Sequence, residues 1–173
     1  SLIGKNKKYL PASTGIQGKR NEKEEIFIDV LALIPKTSRC VVSVMKNTCQ
    51  NEAREYGSLF SRGMVVKIEN SETLYISGTA SIDNNGKTVC LNNPIGQVAQ
   101  TFKSIESLLK TKKSCLGDIV MATTYCKNIK AYTDFKKFIM NSELKNIPFV
   151  PVYADICRDN LLCEIDAIAV KIK

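Results

Sequence analysis

The chain has 173 residues, 44% hydrophobic and 24% charged, and a formal net charge of +8. That size fits one domain, with room for an appendage, and the balance is that of a soluble globule rather than a disordered chain; no apolar run approaches the ~18–20 residues that span a bilayer. The chain contains no histidine, so Ser-His-Asp and Cys-His catalysis and every His-containing metal site are excluded, and acid–base chemistry falls to carboxylates, Cys, Tyr, Lys or bound water.

Residues 1–24 are polar, with a Pro-Ala-Ser-Thr-Gly turn at 11–15, and read as a loop or extended arm. The run Ile-Phe-Ile-Asp-Val-Leu-Ala-Leu-Ile at 26–34 reads as a buried strand stopped by Pro35, and 41–45 as a second strand pairing antiparallel with it. Residues 47–62 are polar and contain Tyr56, Phe60 and Arg62. Strands follow at 64–68 and 73–77 across the turn Glu69-Asn70-Ser71-Glu72, and Asn84-Asn85-Gly86 marks a hairpin turn. Ile95, Val98, Ala99, Phe102, Ile105, Leu108 and Leu109 give the i, i+3, i+4 stripe of a one-sided helix over 94–112, with Gln97, Gln100, Lys103 and Glu106 on its other side. A strand at 119–126 follows Gly117 and Asp118. A helix over 132–142 then buries Tyr132, Phe135, Phe138 and Ile139. Pro148 and Pro151 bracket the approach to strands at 152–157 and 161–172. This order is that of an α+β fold with both helices on one sheet face. The less self-contained part is 1–55, which puts a boundary near 47–60.

The last strand carries the most information. Leu162, Ile168, Val170 and Ile172 share one face, and Leu161, Cys163, Ile165, Ala167 and Ala169 the other; a strand apolar on both faces is normally covered on both. Glu164 falls in register with the Leu162–Ile172 face, where an ionised carboxylate costs on the order of 2–7 kcal/mol unless it is paired or hydrogen-bonded. Either a partner is built for it, or its pKa rises and it becomes a proton donor or acceptor.

The seven cysteines (40, 49, 90, 115, 126, 157, 163) form an odd set without a CxxC pair, mostly inside apolar runs. That pattern predicts free thiols in a reducing cytoplasm rather than a disulfide scaffold. The lysines are dispersed or cluster at termini and turns, without interleaved aromatics, so the basic charge predicts a solvated surface or an anionic small substrate rather than nucleic acid. No phosphate loop, metal cluster or dinucleotide fingerprint appears, and no metal or cofactor is expected. The chain opens Ser-Leu-Ile-Gly without Met, which predicts processing, a tag or a cut from a longer protein, and no secretory signal is visible.

Leu74-Tyr75-Ile76-Ser77-Gly78-Thr79-Ala80-Ser81-Ile82-Asp83, the helix carrying Gln97, Gln100 and Thr101, Asp118 before a Thr-rich strand, and the final Glu-Ile-Asp-Ala-Ile-Ala resemble the YjgF/Rid family over 56–173. The resemblance implies a chorismate-mutase-like fold, a mixed sheet with two helices on one face. It also implies a homotrimer around a central barrel, with small-molecule pockets between subunits. Many members hydrolyse enamine or imine intermediates to keto acids and ammonia. A closer resemblance is carried by Tyr9-Leu10-Pro11-Ala12-Ser13-Thr14-Gly15-Ile16, Phe60-Ser61-Arg62, the Ser77–Ile82 segment and Asp155-Ile156-Cys157-Arg158 through Glu164. These look like the C-terminal half of the chorismatases, which hydrolyse or rearrange chorismate with release of pyruvate and consist of two Rid-like halves.

That second resemblance implies that Cys157 and Glu164 line the pocket, that Arg62 meets a substrate carboxylate, and that backbone near Ala80 closes the site. It also makes 1–55 the remnant of an N-terminal half, the rest of which a second chain would supply. The deaminating members carry an arginine near the start of the penultimate strand, where this chain has Pro148-Phe149-Val150-Pro151. From the residues themselves, Glu164 reads as general acid/base or as half of an ion pair. Cys157 is a pocket wall or weak donor, because a nucleophilic role has no histidine base. Arg158 offers a second carboxylate fork or a structural bridge to Asp155 or Asp159. Tyr56 and Tyr75 are hydroxyl donors or interface packing, and Gly78 lets backbone approach a ligand closely. The expectation is a cofactor-free hydrolase acting on a small carboxylate, chorismatase-like. Its alternatives are an enamine/imine deaminase and a non-catalytic ligand-binding or structural subunit.

Overall fold

The computed structural model describes residues 10–17 and 28–172. Six strands form one mixed sheet: β1 (Cys40–Met45), β2 (Gly63–Ile68), β3 (Ser71–Ala80), β4 (Ile119–Cys126), β5 (Phe149–Tyr153) and β6 (Cys163–Ile172), in the order β1-β2-β3-β6-β4-β5. All neighbours are antiparallel except β4 and β5. These two are parallel and therefore need a crossover, which α2 (Ile129–Met140) provides. The longer helix α1 (Pro94–Lys110) carries the chain from β3 to β4. Each helix starts where an Asn side chain caps it: Asn93 accepts from Gly96 N at 2.9 Å, with Pro94 in the first turn, and Asn128 accepts from Ala131 N at 2.9 Å. The second cap explains why α2 begins three residues earlier than its aromatic stripe implied.

Both helices pack on one face of the sheet, as the apolar periodicity predicted. Val98, Phe102, Ile105, Leu108 and Leu109 of α1 and Phe135 and Ile139 of α2 share a core with Val65, Leu74, Ile76, Ala122, Cys126, Cys163, Ile165, Ala167 and Ala169. On β6 the alternation divides the strand. Cys163, Ile165, Ala167 and Ala169 enter that core, while Glu164, Asp166, Ile168, Val170 and Ile172 point to the opposite face. Met64, Val66, Tyr75, Ile168 and Val170 are only half-buried there, and among the described residues no layer covers them.

Three expectations need correction. Residues 28–34 form no strand, and Ile28, Val30, Leu31 and Ile34 stand 73, 72, 77 and 82% exposed; Ile26 and Phe27 lie outside the described residues. The partner of β1 is instead β2, in a continuous register from Cys40↔Ile68 to Met45↔Gly63. That register buries Met45 with Val65, and a one-residue slip of β1 would turn Met45 outward. β1 and β2, on either side of 47–60, are therefore neighbours in one sheet. The penultimate strand lies at Phe149–Tyr153, with Pro151 tolerated because β5 is an edge strand.

The third correction concerns Gln97, expected on the solvated side of the helix but fully buried. Its Nε2 donates to Asn160 O at 2.9 Å, and its Oε1 accepts from Leu162 N at 2.8 Å. One amide thereby fixes the loop that delivers the chain into β6. Gln97→Leu leaves a buried N–H and a carbonyl without their partners. Denaturant unfolding is expected to read a loss of about 1–3 kcal/mol; an unchanged midpoint would show that the amide is dispensable.

Candidate active site

β3 and β6 pair in register from Ser71 to Ile76, slip, and resume at Thr79↔Ile165 and Ala80↔Glu164. The irregularity places Ser77 and Gly78 opposite no single partner and bends the strand beside Glu164. Gly78 is required by space there: a methyl group on it would overlap the Oε1 oxygen of Glu164 and approach the Thr14 methyl to 3.0 Å. The carboxyl end of Glu164 thus lies against bare backbone, which an apolar strand pattern alone would not reveal.

The extended arm 10–17 walls this corner. Gly78 N donates to Thr14 Oγ1 at 3.1 Å, and Ser13 N donates to Ser77 Oγ at 3.0 Å. Ser77 Oγ in turn donates to Ser61 O. Ser61 Oγ donates to Leu10 O at 2.6 Å, and Ala12 and Gln17 bridge to Ser61 and Asp155. The Leu-Pro-Ala-Ser-Thr-Gly stretch is therefore a strap across the ends of β2 and β3, held by small hydroxyls and backbone.

Glu164 is 5% exposed. Burial, then the charge of Asp166, raise its pKa to about 7, with Arg62 pulling the other way. Arg62 is itself buried; Nε and Nη2 donate to Asn51 O at 3.0 and 2.8 Å, and its guanidinium stacks 5.5 Å from the Phe60 ring centre. Cys157 is exposed. Partial desolvation of its thiol, then the charge of Glu164, raise its pKa, and Arg158 and Arg62 lower it only in part. A thiol pushed in that direction is protonated at neutral pH, which suits a pocket wall better than a nucleophile. Cys157 thus lies within electrostatic reach of Glu164, Arg158 and Arg62, and Glu164 within reach of Arg62.

Ala80 sits directly across from Glu164, its carbonyl accepting from Gln50 Nε2 at 2.8 Å. Arg158 Nη1 donates to Gly86 O at 2.7 Å, while Asp155 and Asp159 both face Lys127, at 3.2 and 3.9 Å. Beyond Arg158 an open cleft of about 540 Å³ lies between the 86–91 and 158–160 loops. Tyr75 is not part of this cluster within one chain. It pairs with Ile168, four residues along β6 from Glu164, a separation of about 13 Å at ~3.3 Å per residue. Tyr56 ends a short 3-10 turn, and its side chain lies outside the described residues.

Sequence reasoning missed Thr14, Tyr125 and Asp166. Asp166 was detectable as the next same-face position after Glu164; Tyr125 depends on the β4–β6 register, which no local pattern encodes.

The raised pKa of Glu164 has a defined consequence for stability. Below about 4.5 the folded and unfolded chains both hold the proton; between 4.5 and 7 the unfolded chain loses it while the folded chain keeps it. Stability therefore falls as pH rises through that window. Glu164→Gln is expected to match the parent near pH 4 and to exceed it near pH 8, by on the order of 2–3 kcal/mol. A parent that gains on the variant across the window would contradict this. Gly78→Ala is expected to fold, because the overlap falls on the end of a flexible side chain. It should nonetheless displace the Glu164 carboxyl, which a crystal structure of the variant would reveal.

The chain matches the family model described as Endoribonuclease L-PSP over residues 59–171. It is 29% identical over 116 residues to a RutC family protein of Saccharolobus solfataricus, covering 65% of this chain and 86% of that one. Among solved structures, a chorismatase superposes with a TM-score of 0.66 at 19% identity, covering 75% of this chain; the match spans 44% of that enzyme's length. RidA from an Antarctic Psychrobacter superposes with a TM-score of 0.60 at 18% identity, covering 73% of this chain and 98% of that one. The structural likenesses establish the common fold; the match over 59–171 establishes that the chain belongs to the endoribonuclease L-PSP, or YjgF/Rid, family.

Proposed function

We propose that the protein is a cofactor-free hydrolase or lyase acting on a small carboxylate-bearing enol ether, releasing pyruvate from chorismate or a related molecule. The observation that carries this reading is Glu164: buried, pressed against Gly78, and with a pKa near 7. A carboxyl of that kind delivers and recovers a proton near neutrality, as a general acid–base must. The chemistry needs no metal. Glu164 protonates the terminal methylene carbon of the enolpyruvyl group, and water adds to the oxocarbenium carbon. Loss of one proton of the added water to the Glu164 carboxylate leaves a hemiketal. Its collapse breaks the ether C–O bond, the remaining hydroxyl proton passing to the ether oxygen, and yields pyruvate and the alcohol. Arg62 contributes positive charge that favours the substrate carboxylate, and Cys157 and Ala80 bound the pocket.

Support for the enol ether over an imine comes from β5, where Phe149, Val150 and Pro151 stand in the stretch in which deaminating relatives carry a substrate-gripping arginine. The reading includes association of three copies into a barrel, with clefts between them. It rests on the uncovered apolar face of Met64, Val66, Tyr75, Ile168 and Val170, and it places the protein in the cytoplasm, in keeping with free cysteines.

Incubation with chorismate and assay of pyruvate tests the chemistry. Release by the parent protein, with a loss of about 10²–10⁴-fold in Glu164→Gln, is expected. Absence of pyruvate, or equal activity in the variant, removes the reading; ammonia release from an amino-acid-derived imine would favour the deaminase alternative. Native mass measurement is expected to give three copies of the chain. A second polypeptide that co-purifies, together with an inert pocket, would favour a structural subunit.

A further inference from the structure

Burial favours the protonated carboxyl of Glu164, but the cationic Arg62 pulls the other way, so what stands against that pull matters to the proposed role. Asp166 and Tyr125, both outside the proposed chemistry, are its neighbours on the sheet face. Asp166 lies two residues along β6, on the same side of the strand. Tyr125 of β4 is the direct register partner of Glu164, yet its hydroxyl does not end there: it donates to Asp166 Oδ2 at 2.9 Å. Its ring therefore runs diagonally along the sheet and ties the Asp166 carboxylate in place. Thr123, the register partner of Asp166, stands on the same face.

We propose that Asp166, anchored by the Tyr125 hydroxyl, is a positioning residue whose carboxylate, held beside Glu164, adds to burial in keeping the Glu164 proton against the pull of Arg62. This deepens the proposed function and rests on Glu164 being the acting acid. Among the described residues, the groups facing Glu164 enter the balance beside its burial. Arg62, ahead of β2, favours the ionised carboxyl; Asp166 on β6 opposes it; Gly78 and Ala80 on β3 contribute uncharged backbone; Cys157 in the preceding loop and Tyr125 on β4 are neutral at pH 7. The Tyr125 phenol is held well above its ordinary pKa by burial and then by the charge of Asp166, so it remains a donor. Asp166 offsets the pull of Arg62 without touching the substrate. An arriving carboxylate then meets the arginine beside a neutral neighbour rather than beside a second anion.

The test reads the carboxyl itself, by NMR titration of ¹³C-labelled glutamate in the parent, Glu164→Gln (to assign the signal), Asp166→Asn and Tyr125→Phe. In Asp166→Asn the Glu164 midpoint is expected to fall by about one pH unit, as removal of a like charge roughly 7 Å along the strand face requires. In Tyr125→Phe, which frees the carboxylate to turn toward solvent, a smaller fall is expected. An unmoved midpoint in a folded Asp166→Asn variant overturns the proposal. Should that variant not fold, an unmoved midpoint in Tyr125→Phe does the same. The titration needs no substrate, so failure of the positioning role is distinguishable from failure of the pyruvate-releasing reading.

Discussion

The structure depends on one contact at the site, the carboxyl of Glu164 lying against a residue without a side chain. β3 abandons its register between Ile76 and Thr79 and presents Gly78 where any Cβ would displace the carboxyl. A carboxylate confined this way loses most of its hydration, and the cost is met by keeping the proton. That proton gives the site its chemical potential. An ordinary surface glutamate at neutral pH has none to give.

Around this contact the fold contributes rigidity from three directions. The 10–17 strap closes over Ser77 and Gly78 through Ser13 and Thr14. Gln97 reaches out of the buried face of α1 to fix the Asn160–Leu162 loop just before Glu164. Arg62 is held by the Asn51 carbonyl and Phe60 rather than left to swing. The strap and the Gln97 clamp each join segments more than sixty residues apart in sequence, so the site is a property of the closed fold and not of any one motif. Local opening of the strap would admit water to the carboxyl and return it toward ordinary acidity.

Much of the architecture was legible in the sequence because it is written in local periodicity. The stripe from Val98 to Leu109, the alternation of β6 and the turn at Asn84-Asn85-Gly86 each encode their own element. The resemblance to the chorismatases implied one neighbourhood for Glu164, Arg62 and Cys157, and the charges of Glu164 and Arg62 both act on the Cys157 thiol. What failed, failed for a common reason: partners are chosen in three dimensions. The apolar run 28–34 has every local mark of a strand yet stands exposed, because β1 found its partner in β2. Gln97 looked like a solvated helix position because its two backbone partners lie more than sixty residues away. Tyr75 shares a face with Glu164 but not a place along it.

The central claim is that Glu164 carries a proton at a pH where an exposed glutamate would not. Infrared difference spectroscopy between about pH 6 and about pH 8 tests it most directly, since a protonated carboxyl has a C=O band that an ionised one lacks. The account predicts loss of one such band as the pH rises through about 7, present in the parent protein and absent from Glu164→Gln. A parent spectrum without that band, or one unchanged by the substitution, would contradict it.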